Sequence, residues 1–567
     1  MTERIWLASY PHGVPADIDT GIADSLGEIL DESCDRFVNR PAYTNMGATL
    51  SYGALHRDSR RLAGWFQQRA GIGRGDRVAI MLPNVLQYPV AVFGLLSIGA
   101  VVVNVNPLYT GRELREQLRD SGARAIIVLE NFAHTLETVV DDTPVETVVV
   151  TRLGDMLGGV RGLLVNAAVR YVKRMVPPWH IRSAVRFRQV LADGAHAAPE
   201  RVAVTQEDLA FLQYTGGTTG RAKGVMLTHG NLIANLQQAS AWLGAAVREG
   251  EEVIITALPL YHIFSLLANC LTFSRLGAEN VLITNPRDIP AFVKTLSRTR
   301  FTAITGVNTL FNALLNNEAF TGLDFSSLRL TLGGGMAVQR AVAERWERVT
   351  GCTLVEAYGL TETSPAVCIN PLDQTEFTGS IGLPVPSTEV SIRDDGGEPV
   401  AMGGVGELCV RGPQVTQGYW NRPEETARAF FPGQWLRTGD MARMDERGYV
   451  YIVDRKKDMI IVSGFNVYPN EVEDVLANHP GVLEAAVIGV PDEASGERLR
   501  AFIVGRTPAL DPDDLRRYCA RELTAYKVPR EFVFRDELPK SNVGKILRRH
   551  LRDTEPGADE VKRSERR

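Results

Sequence analysis

The sequence predicts an α/β protein with a large N-terminal domain, built on parallel sheets with flanking helices plus a β-rich subdomain, and a smaller α+β C-terminal domain. The chain has 567 residues, too many for one hydrophobic core, because domains average roughly 150 residues. Short runs rich in Val, Ile and Leu alternate with helical stretches, which is typical of parallel sheets with crossover helices. After about Gly379 the pattern changes to closely spaced strands and turns.

The first elements lie in a stretch without charged side chains, from Val78 to Gly111. It is long enough to raise the question of a membrane span, but prolines, glycines and asparagines interrupt it. We expect a buried strand at 78–81, a helix around 90–98 and a second strand at 101–103, covered on both faces. Further apolar runs that predict strands lie at 123–129, 211–214, 225–227, 252–260, 280–284 and 301–307.

The C-terminal part begins near a cluster of charged residues, 454–458, which interrupts the β-like run at 448–469. Such a cluster suits an exposed connection between domains. Beyond it, Pro469 can open a helix and Asp511-Pro512 another, because proline fits the first helical position. Strands at 485–490 and 500–505 complete a small α+β domain, and the charged residues from about Thr554 predict a disordered tail.

Composition narrows the class of function. The net charge of -5 does not favour nucleic acid as a partner, and 44% hydrophobic with 23% charged residues is ordinary for a soluble globular protein. The six cysteines are scattered without metal-ligand spacing, so we expect unpaired buried thiols in a reducing compartment. The N-terminus has no apolar segment of the kind found in secretory signals, which predicts a cytoplasmic protein.

The segment 156–188 differs from the rest because it holds seven Arg or Lys residues and no Asp or Glu, interleaved with apolar residues. A basic amphipathic stretch can lie on an anionic membrane surface. The alternative is a surface helix that packs its apolar side on the domain and leaves its arginines in water. Both interpretations stay open from the sequence, and the first predicts peripheral contact with the cytoplasmic face of a membrane.

The stretch "YTGGTTGRAKG", from Tyr214 to Gly224, suggests a loop that could bind phosphate. Glycines let backbone N–H groups approach phosphate, while threonine hydroxyls and Lys223 add donors and charge. The spacing does not fit the pattern GxxxxGK[ST], and a strand rather than a helix is expected to follow. The residues alone leave two alternatives, a cradle for ATP phosphates or a Gly-rich turn with no ligand.

The same stretch resembles the phosphate-binding signature of the adenylate-forming enzymes, which include acyl-CoA synthetases, peptide-synthetase adenylation domains and beetle luciferases. Further motifs of that superfamily follow in order: "LPLYHIF" at 258–264, "GGGM" at 333–336, "EAYGLTETSP" at 356–365, "WLRTGD" at 435–440, "DRKKDMIIVSG" at 454–464 and "PKSNVGK" at 539–545. The match extends over essentially the entire chain. The stretches "LQYPVAVFGLLSIGAVVVNVNPLYT", "ITNPRDIP" and "ITGVNTLFNALLNN" are most similar to bacterial long-chain fatty-acid–CoA ligases.

The resemblance assigns roles to the matching residues. Tyr358 would stack on adenine, Asp440 would accept hydrogen bonds from both ribose hydroxyls, and Arg455 would contact the same sugar. Glu362 would help to hold Mg²⁺, a hard cation suited to carboxylate and phosphate oxygens. The other implied nucleotide-binding residues are Thr215, Gly216, Gly217, Thr218, Thr219, Gly220, Lys223, Gly334, Gly335, Gly359 and Thr361, with Thr218 and Glu362 also counted as catalytic.

Two residues are implied to act on the acyl group. Lys545 matches the lysine that bridges the substrate carboxylate and the α-phosphate, where a flexible cation stabilises developing charge. His262 would position the carboxylate rather than act as a base, although taken alone it reads as a packed core histidine. The other implied acyl and pantetheine contacts are Phe264, Gly306, Val307 and Gly464, with Leu310 as a further candidate wall.

The implied reaction converts a fatty acid, ATP and coenzyme A into acyl-CoA, AMP and pyrophosphate through an acyl-adenylate. The family uses one centre for both half-reactions by rotating its small domain about a hinge, which Lys457 matches. The implied division is an N-terminal domain at 1–453, a hinge at 454–457, a C-terminal lid domain at 458–553 and a tail at 554–567. A homodimer is a further expectation.

Several alternatives stay open. The acid could be of medium chain length or aromatic, because one sequence does not give the depth of a cavity. The acyl-adenylate could instead pass to oxygen or to a carrier protein, although no carrier domain is visible in the sequence. A catalytically silent acyl-binding protein associated with membrane is a different class, against which the retention of Lys545, Glu362 and Asp440 argues. An α/β-hydrolase lacks support, since no G-x-S-x-G motif is present.

Overall fold

A computed structural model of the chain describes residues 4–215, 222–492, 495–506, 510–541 and 544–553. Gly216, Gly217, Thr218, Thr219 and Gly220 of the candidate phosphate loop lie outside the described residues, as does the tail expected from Thr554 onward.

The first sheet of the large domain has seven strands, parallel except for its last pair. In spatial order they are Ala184–Arg186, Thr147–Thr151, Ala125–Leu129, Arg77–Met81, Val101–Asn104, Leu209–Thr215 and Lys223–Thr228. The strands predicted at 78–81, 101–103, 123–129, 211–214 and 225–227 are confirmed. The last two form an antiparallel hairpin that flanks the candidate phosphate loop, with Thr215 opposite Lys223.

The second sheet has nine strands, whose six central members run parallel to one another. In spatial order they are Leu383–Pro384, Ala366–Ile369, Leu354–Gly359, Leu330–Gly333, Ala303–Gly306, Val253–Thr256, Glu279–Leu282, Pro41–Asn45 and Ala48–Ser51. The apolar run predicted at 252–260 is longer than its strand, because Leu258 and Leu260 lie buried in the loop that follows. Apolar composition alone does not distinguish a buried loop from a buried strand.

Helices cover these sheets, and their buried apolar residues form one large cluster and two smaller ones together with the strands. The helix expected around 90–98 spans Gln87–Ser97 and is almost wholly buried, which accounts for the uncharged stretch without a membrane. Among the described residues, no helix is long and apolar enough to cross a bilayer. The other helices of the large domain are Leu26–Arg36, Tyr52–Ala70, Gly111–Ser121, Ala133–Glu137, Gly159–Ala167, Phe187–Gly194, His229–Leu243, Ile263–Ser265, Ile289–Leu296, Asn308–Leu315, Glu318–Thr321, Arg340–Thr350 and Pro423–Arg428.

The β-rich subdomain follows as an antiparallel five-stranded sheet of Glu389–Arg393, Gly406–Arg411, Phe430–Phe431, Trp435–Met444 and Val450–Arg455. The small domain has its own five-stranded sheet and separate apolar clusters. Its strands are Ile460–Val462, Phe465–Val467, Val482–Asp492, Gly496–Gly505 and Glu531–Phe534, and its helices are Pro469–Ala477, Pro512–Glu522 and Arg548–Asp553. The helices predicted to open at Pro469 and Pro512 are confirmed, with Asp511 as the N-cap of the second. The predicted fold class is therefore confirmed.

All six cysteines are buried and form no disulfide, which confirms the prediction of unpaired buried thiols. The basic segment 156–188 forms the helix Gly159–Ala167, a π-helical turn at Ala168–Val172 and the edge strand Ala184–Arg186. Its apolar side chains do not all pack on the domain as the second interpretation requires. Six of them are more than half exposed: Val160, Leu163, Leu164, Tyr171, Val172 and Met175.

Candidate active site

A cleft of about 2220 Å³ lies between the large and small domains, at the carboxyl ends of the parallel strands in both large sheets. This edge is where open α/β sheets place their ligands. Residues from both domains line it. The sequence-predicted residues among them are His262, Gly335, Tyr358, Gly359, Asp440, Arg455, Lys457 and Lys545.

One wall of the cleft holds three of the residues expected to bind adenosine. The Tyr358 hydroxyl donates a hydrogen bond to Asp440 Oδ2 at 2.6 Å, and Arg455 Nε lies 3.5 Å from Asp440 Oδ1. Asp440 and Arg455 are opposite each other on adjacent strands. Burial and the Asp440 carboxylate raise the pKa of Tyr358 well above its ordinary value, so the phenol keeps its proton. This wall presents a fixed aromatic ring beside a carboxylate whose two oxygens face polar partners.

Lys545 enters the cleft from the small domain and is half-buried there. Burial, followed by the nearby Arg455 guanidinium, lowers the pKa of Lys545 to about 7, and Asp440 partly opposes this shift. Desolvation disfavours the ammonium form of Lys545. A bound anion such as phosphate favours that form and would therefore restore the positive charge. The structure therefore brings a cation with a strongly perturbed pKa beside the Tyr358–Asp440–Arg455 wall.

His262 lies on the large-domain side, at the N-cap of the short helix Ile263–Ser265, where its Nδ1 accepts a hydrogen bond from the Phe264 N–H at 3.4 Å. Burial, with repulsion from Lys545 as a second cause, lowers its pKa to about 4. The imidazole is therefore neutral at physiological pH. A neutral ring next to Lys545 suits the positioning of a carboxylate, which is already ionised near pH 7 and needs no base.

Glycines shape the floor of the cleft. Gly335 has a positive φ of 78°, which favours glycine. A Cβ on Gly334 would lie 3.0 Å from the Ala357 carbonyl oxygen and 3.1 Å from the Phe264 ring. At Gly359 a Cβ would lie only 1.8 Å from the Pro365 carbonyl oxygen, so a side chain is excluded there.

An apolar cluster lies behind this floor and contains the residues expected to contact an acyl chain. Leu258, Phe264 and Val307 are its buried members, and Leu310 and Met336 pack against them. Gly306 ends the strand leading into the cluster, where a Cβ would clash with the Phe311 ring at 2.6 Å. The cluster supplies apolar surface next to His262 and Lys545.

Lys223 and Glu362 share one neighbour, Tyr419. The Tyr419 hydroxyl donates to Glu362 Oε1 at 2.8 Å, and the Lys223 ammonium lies 5.1 Å from the centre of the Tyr419 ring. Lys223 also forms an ion pair with Glu425. Thr215 and Thr361 are half-buried on the flanking segments. The structure thus groups the described ends of the candidate phosphate loop with the carboxylate expected to hold Mg²⁺.

Gly464 is not among the described residues that line the cleft. It occupies an exposed turn between Ile460–Val462 and Phe465–Val467, with a φ of 83°. Lys457, by contrast, lines the cleft within 456–459, the short connection between the last strand of the β-rich subdomain and the first strand of the small domain. The arrangement has Lys545 in the cleft and the Gly464 turn away from it.

Sequence reasoning missed two charged residues of the cleft. Glu356 is 6% exposed, and burial raises the pKa of its carboxyl to about 8 while the Val338 N–H donates to it at 3.1 Å. It lies within "EAYGLTE", two residues before Tyr358, so the motif itself could have drawn attention to it.

The second is Arg548, three residues after Lys545. Its guanidinium contacts Asp454 at 3.2 Å, Asp458 at 3.6 Å and Glu473 at 2.6 Å. These carboxylates raise the pKa of Arg548 although burial alone would lower it. Asp454 also accepts from the Asn470 N–H at 2.8 Å, and so connects the last strand of the β-rich subdomain to the first helix of the small domain. Nothing in the local sequence pairs residues so far apart.

Comparison with known proteins gives consistent results. The family model of AMP-binding enzymes matches residues 30–420, and that of the AMP-binding enzyme C-terminal domain matches 471–545. A protein of Escherichia coli O157:H7 named long-chain-fatty-acid–CoA ligase is 56% identical over 98% of this chain and 99% of its own length. One of the same name from Yersinia pestis is 58% identical over 98% of both chains.

A solved structure of the anthranilate CoA ligase AuaEII in complex with anthranoyl-AMP has a TM-score of 0.81 and 27% identity, and the match covers 93% of this chain and 96% of that one. The fold is therefore shared with a ligase named for an aromatic acid. Likeness at this level does not select the acid, whereas the full-length relatives at more than half identity carry one common name.

Proposed function

The chain belongs to the AMP-binding enzyme family, and we propose that within this family it is a long-chain-fatty-acid–CoA ligase. The observation that carries the proposal is the full-length relationship at 56–58% identity to proteins of that name. The cleft supports it, because an apolar cluster, a neutral histidine and a lysine lie beside a wall suited to ribose and adenine. The substrates are a fatty acid, ATP and coenzyme A.

The reaction has two steps. A carboxylate oxygen of the acid attacks the α-phosphorus of ATP, the bond from that phosphorus to the bridging oxygen breaks, and pyrophosphate leaves with the electron pair. The sulfur of coenzyme A then attacks the acyl carbon, its proton passes to solvent, and AMP leaves with the electrons of the acyl–oxygen bond. Positioning and neutralisation of charge supply most of the catalysis in such phosphorus chemistry.

We assign the residues by the partners they offer. Asp440 and Arg455 would bind the ribose hydroxyls, and Tyr358 would stack on adenine while its hydroxyl keeps Asp440 oriented. Lys545 would hold a positive charge between the carboxylate and the α-phosphate, with His262 beside the carboxylate. Thr215, Lys223, Thr361 and the loop between the two hairpin strands would contact the phosphates.

We propose that Mg²⁺ enters this site bound to ATP and is not held by protein side chains alone. Over the residues that the structure describes, no group of three His, Cys, Asp or Glu side chains could hold a metal ion. Glu362 offers one carboxylate, partly satisfied by Tyr419, so phosphate oxygens and water would complete the coordination. When bound, the ion supplies positive charge to the phosphates.

The acid is the part of the proposal that experiment must settle first. Pyrophosphate release should be measured with Mg·ATP and coenzyme A across saturated acids from about C6 to C18, together with benzoate. We expect the highest kcat/KM with long chains, because each buried methylene contributes roughly 0.8 kcal/mol. An optimum on short or aromatic acids contradicts the long-chain assignment. Replacement of coenzyme A by a carrier protein separates the carrier-loading alternative, and absence of acid-dependent pyrophosphate release would support a silent binding protein.

Membrane contact through 156–188 is a finer part of the proposal. Its six exposed apolar side chains lie next to exposed Lys173, Arg174 and Arg182, a combination suited to an anionic lipid surface. We expect the protein to co-sediment with phosphatidylglycerol vesicles more than with phosphatidylcholine vesicles, and the double variant Leu163→Ser, Leu164→Ser to lose this binding. Equal sedimentation of parent and variant contradicts the assignment.

The homodimer stays a prediction, to be tested by analytical ultracentrifugation.

A domain rotation is also part of the proposal. The division between 1–453 and 458–553 is supported by separate sheets on either side of the hinge predicted at 454–457, although the strand Val450–Arg455 includes the first two residues of that hinge. The tail at 554–567 lies outside the described residues and stays a prediction. The arrangement with Lys545 in the cleft is the one expected for the first half-reaction. Rotation about Lys457 would withdraw Lys545 and bring the Gly464 turn towards the pantetheine arm of coenzyme A.

A further inference from the structure

The helix Asn308–Leu315 makes a polar contact with the loop that carries Lys545. Thr309 Oγ1 donates a hydrogen bond to the carbonyl oxygen of Gly544 at 3.0 Å, and Gly544 directly precedes Lys545 in the chain. The threonine is half-buried and lies on the wall of the cleft. A bond across the domain interface thus ends one residue from the lysine.

The fit at Gly544 is close. A Cβ there would lie 2.6 Å from Thr309 Oγ1 and 3.3 Å from Val307 Cγ2, and the φ of 83° also favours glycine. The turn itself is closed inside the small domain, because the Ser541 N–H donates to the Lys545 carbonyl at 2.7 Å and the Lys545 N–H donates to Ser541 Oγ at 3.1 Å. These bonds shape the loop, whereas Thr309 fixes its place against the large domain.

The supporting helix is held firmly and meets the small domain along one face. Asn308 exchanges two hydrogen bonds of 3.0 Å with Gln339, which ties the start of the helix to the loop after Gly335. Asn312 donates to the Leu483 carbonyl at 3.4 Å, and Asn316 accepts from Arg506 at 3.1 Å. Positions 309, 312 and 316 lie on one helical face. Of the three, Thr309 is the one whose partner, Gly544, directly precedes Lys545 in the chain.

We propose that Thr309 is a positioning residue for the adenylation half-reaction. This proposal rests on the function proposed above. Its hydroxyl holds the Gly544 carbonyl against the same strand–helix junction that bears Val307, and so sets the position of the Lys545 ammonium relative to the acyl cluster. The contact exists only while the small domain is docked with Lys545 in the cleft. Loss of the bond therefore slows the step that needs Lys545 and leaves the step after domain rotation unchanged.

The test separates the two half-reactions in three forms of the full-length protein. Adenylation is followed as palmitate-dependent exchange of pyrophosphate into ATP, and thioester formation as the reaction of supplied palmitoyl-AMP with coenzyme A. In Thr309→Val, which keeps the shape but removes the donor, we expect kcat for adenylation to fall about tenfold with little change in KM. Thr309→Ser, which keeps the hydroxyl, should restore the rate, and thioester formation should stay at the parent rate in both variants.

A matched control is Thr299→Val, since the half-buried Thr299 hydroxyl donates to the Thr295 carbonyl at 2.9 Å within the large domain and away from the cleft. It should leave both half-reactions unchanged. The proposal is overturned if Thr309→Val adenylates like the parent, or if it slows both half-reactions equally, as a general loss of structure would.

A second readout does not depend on activity. Lys545 should react with an amine-acylating reagent, mapped by mass spectrometry, several-fold faster in Thr309→Val than in the parent or in Thr309→Ser, because a loosened loop exposes the ammonium group. Equal labelling in all three forms overturns the positioning role. If the parent forms no acyl-AMP from any fatty acid, the proposed function fails, while the labelling still reports on the contact.

Discussion

The two sides of the cleft hold their residues in different ways. On the large-domain side, Tyr358 is the second-last residue of a strand of the nine-stranded sheet, and Asp440 and Arg455 are paired across adjacent strands of the β-rich sheet. On the small-domain side, Lys545 lies on a loop positioned by Ser541 and by the cross-domain bond from Thr309. The residues suited to nucleotide binding thus lie on strands of the large domain. Lys545, the residue suited to catalysis, reaches the cleft only because the small domain packs against the large one. Binding and chemistry should therefore respond to different substitutions.

The largest expected effect lies on the small-domain side. Lys545→Ala should lower the rate of adenylation about 1000-fold, because it removes the cation expected to stabilise charge on the α-phosphate. Thioester formation from supplied acyl-adenylate should stay at the parent rate. Lys294→Ala, an exposed lysine on the helix Ile289–Leu296, serves as the control and should change neither step. Acyl-AMP formation at the parent rate in Lys545→Ala contradicts the role given to this residue.

The next effect tests the docking itself. Lys457→Pro fixes a backbone angle in the connection and should slow thioester formation about 100-fold while adenylation continues, because the structure already has Lys545 in the cleft. Lys457→Ala removes the side chain but keeps the backbone free, and should leave both steps close to the parent. Equal slowing of both half-reactions in the proline variant would count against a hinge at this residue.

On the large-domain side, Asp440→Asn should raise KM for ATP about thirtyfold with a smaller change in kcat, because it removes the charged acceptor of the ribose hydroxyls and of Tyr358. Comparison of ATP with 2′-deoxy-ATP sharpens the result. Replacing ATP by 2′-deoxy-ATP should lower kcat/KM more in the parent than in the variant, because the substitution and the missing hydroxyl remove the same contact. A penalty of the same size in both proteins would show that Asp440 does not read the ribose.

The smallest effect is a pH dependence that distinguishes the sides. The pKa of Lys545 is lowered to about 7, so its positive charge is present below that pH and is lost as pH rises through it. The kcat/KM for adenylation should fall about tenfold between pH 6 and pH 8 through this group. The fall in kcat should occur at higher pH than the fall in kcat/KM, because bound phosphate raises the pKa of Lys545 again. His262, with a pKa of about 4, adds no limb in this range. A flat profile from pH 6 to 8 would contradict the assignment.

The sequence predicted the large-domain side better than the docked interface. Strand–helix alternation predicted the parallel sheets, and ordered motifs pointed to Tyr358 and Asp440, which line the cleft, because local runs of residues carry both signals. The motif also pointed to Lys545, but not to the contacts that hold its loop against the large domain. The contact of Thr309 with Gly544 joins residues 235 positions apart and depends on how two domains meet. The ion pair of Arg548 with Asp454 spans 94 positions for the same reason. Periodicity and spacing carry no information on such pairs.

The segment 156–188 is a second region whose structure the sequence did not determine. Its sequence shows basic and apolar residues together, which fits either a packed helix or an exposed one. Which side chains are covered depends on neighbouring strands and on Glu130, which binds Arg152, Arg170 and Arg186 and so fixes the segment against the sheet. Leu163 and Leu164 are both 64% exposed on this segment, which the sequence pattern left open.

Val307 has a consequence for attempts to redesign the enzyme. Its side chain belongs to the apolar cluster proposed to receive the acyl chain, and it also lies against Gly544, next to the lysine. A smaller residue chosen to admit bulkier acids would also remove support from beneath that glycine. Substrate range and turnover are thus linked through one side chain, and engineering of this wall should pair each change at Val307 with a compensating change at the loop.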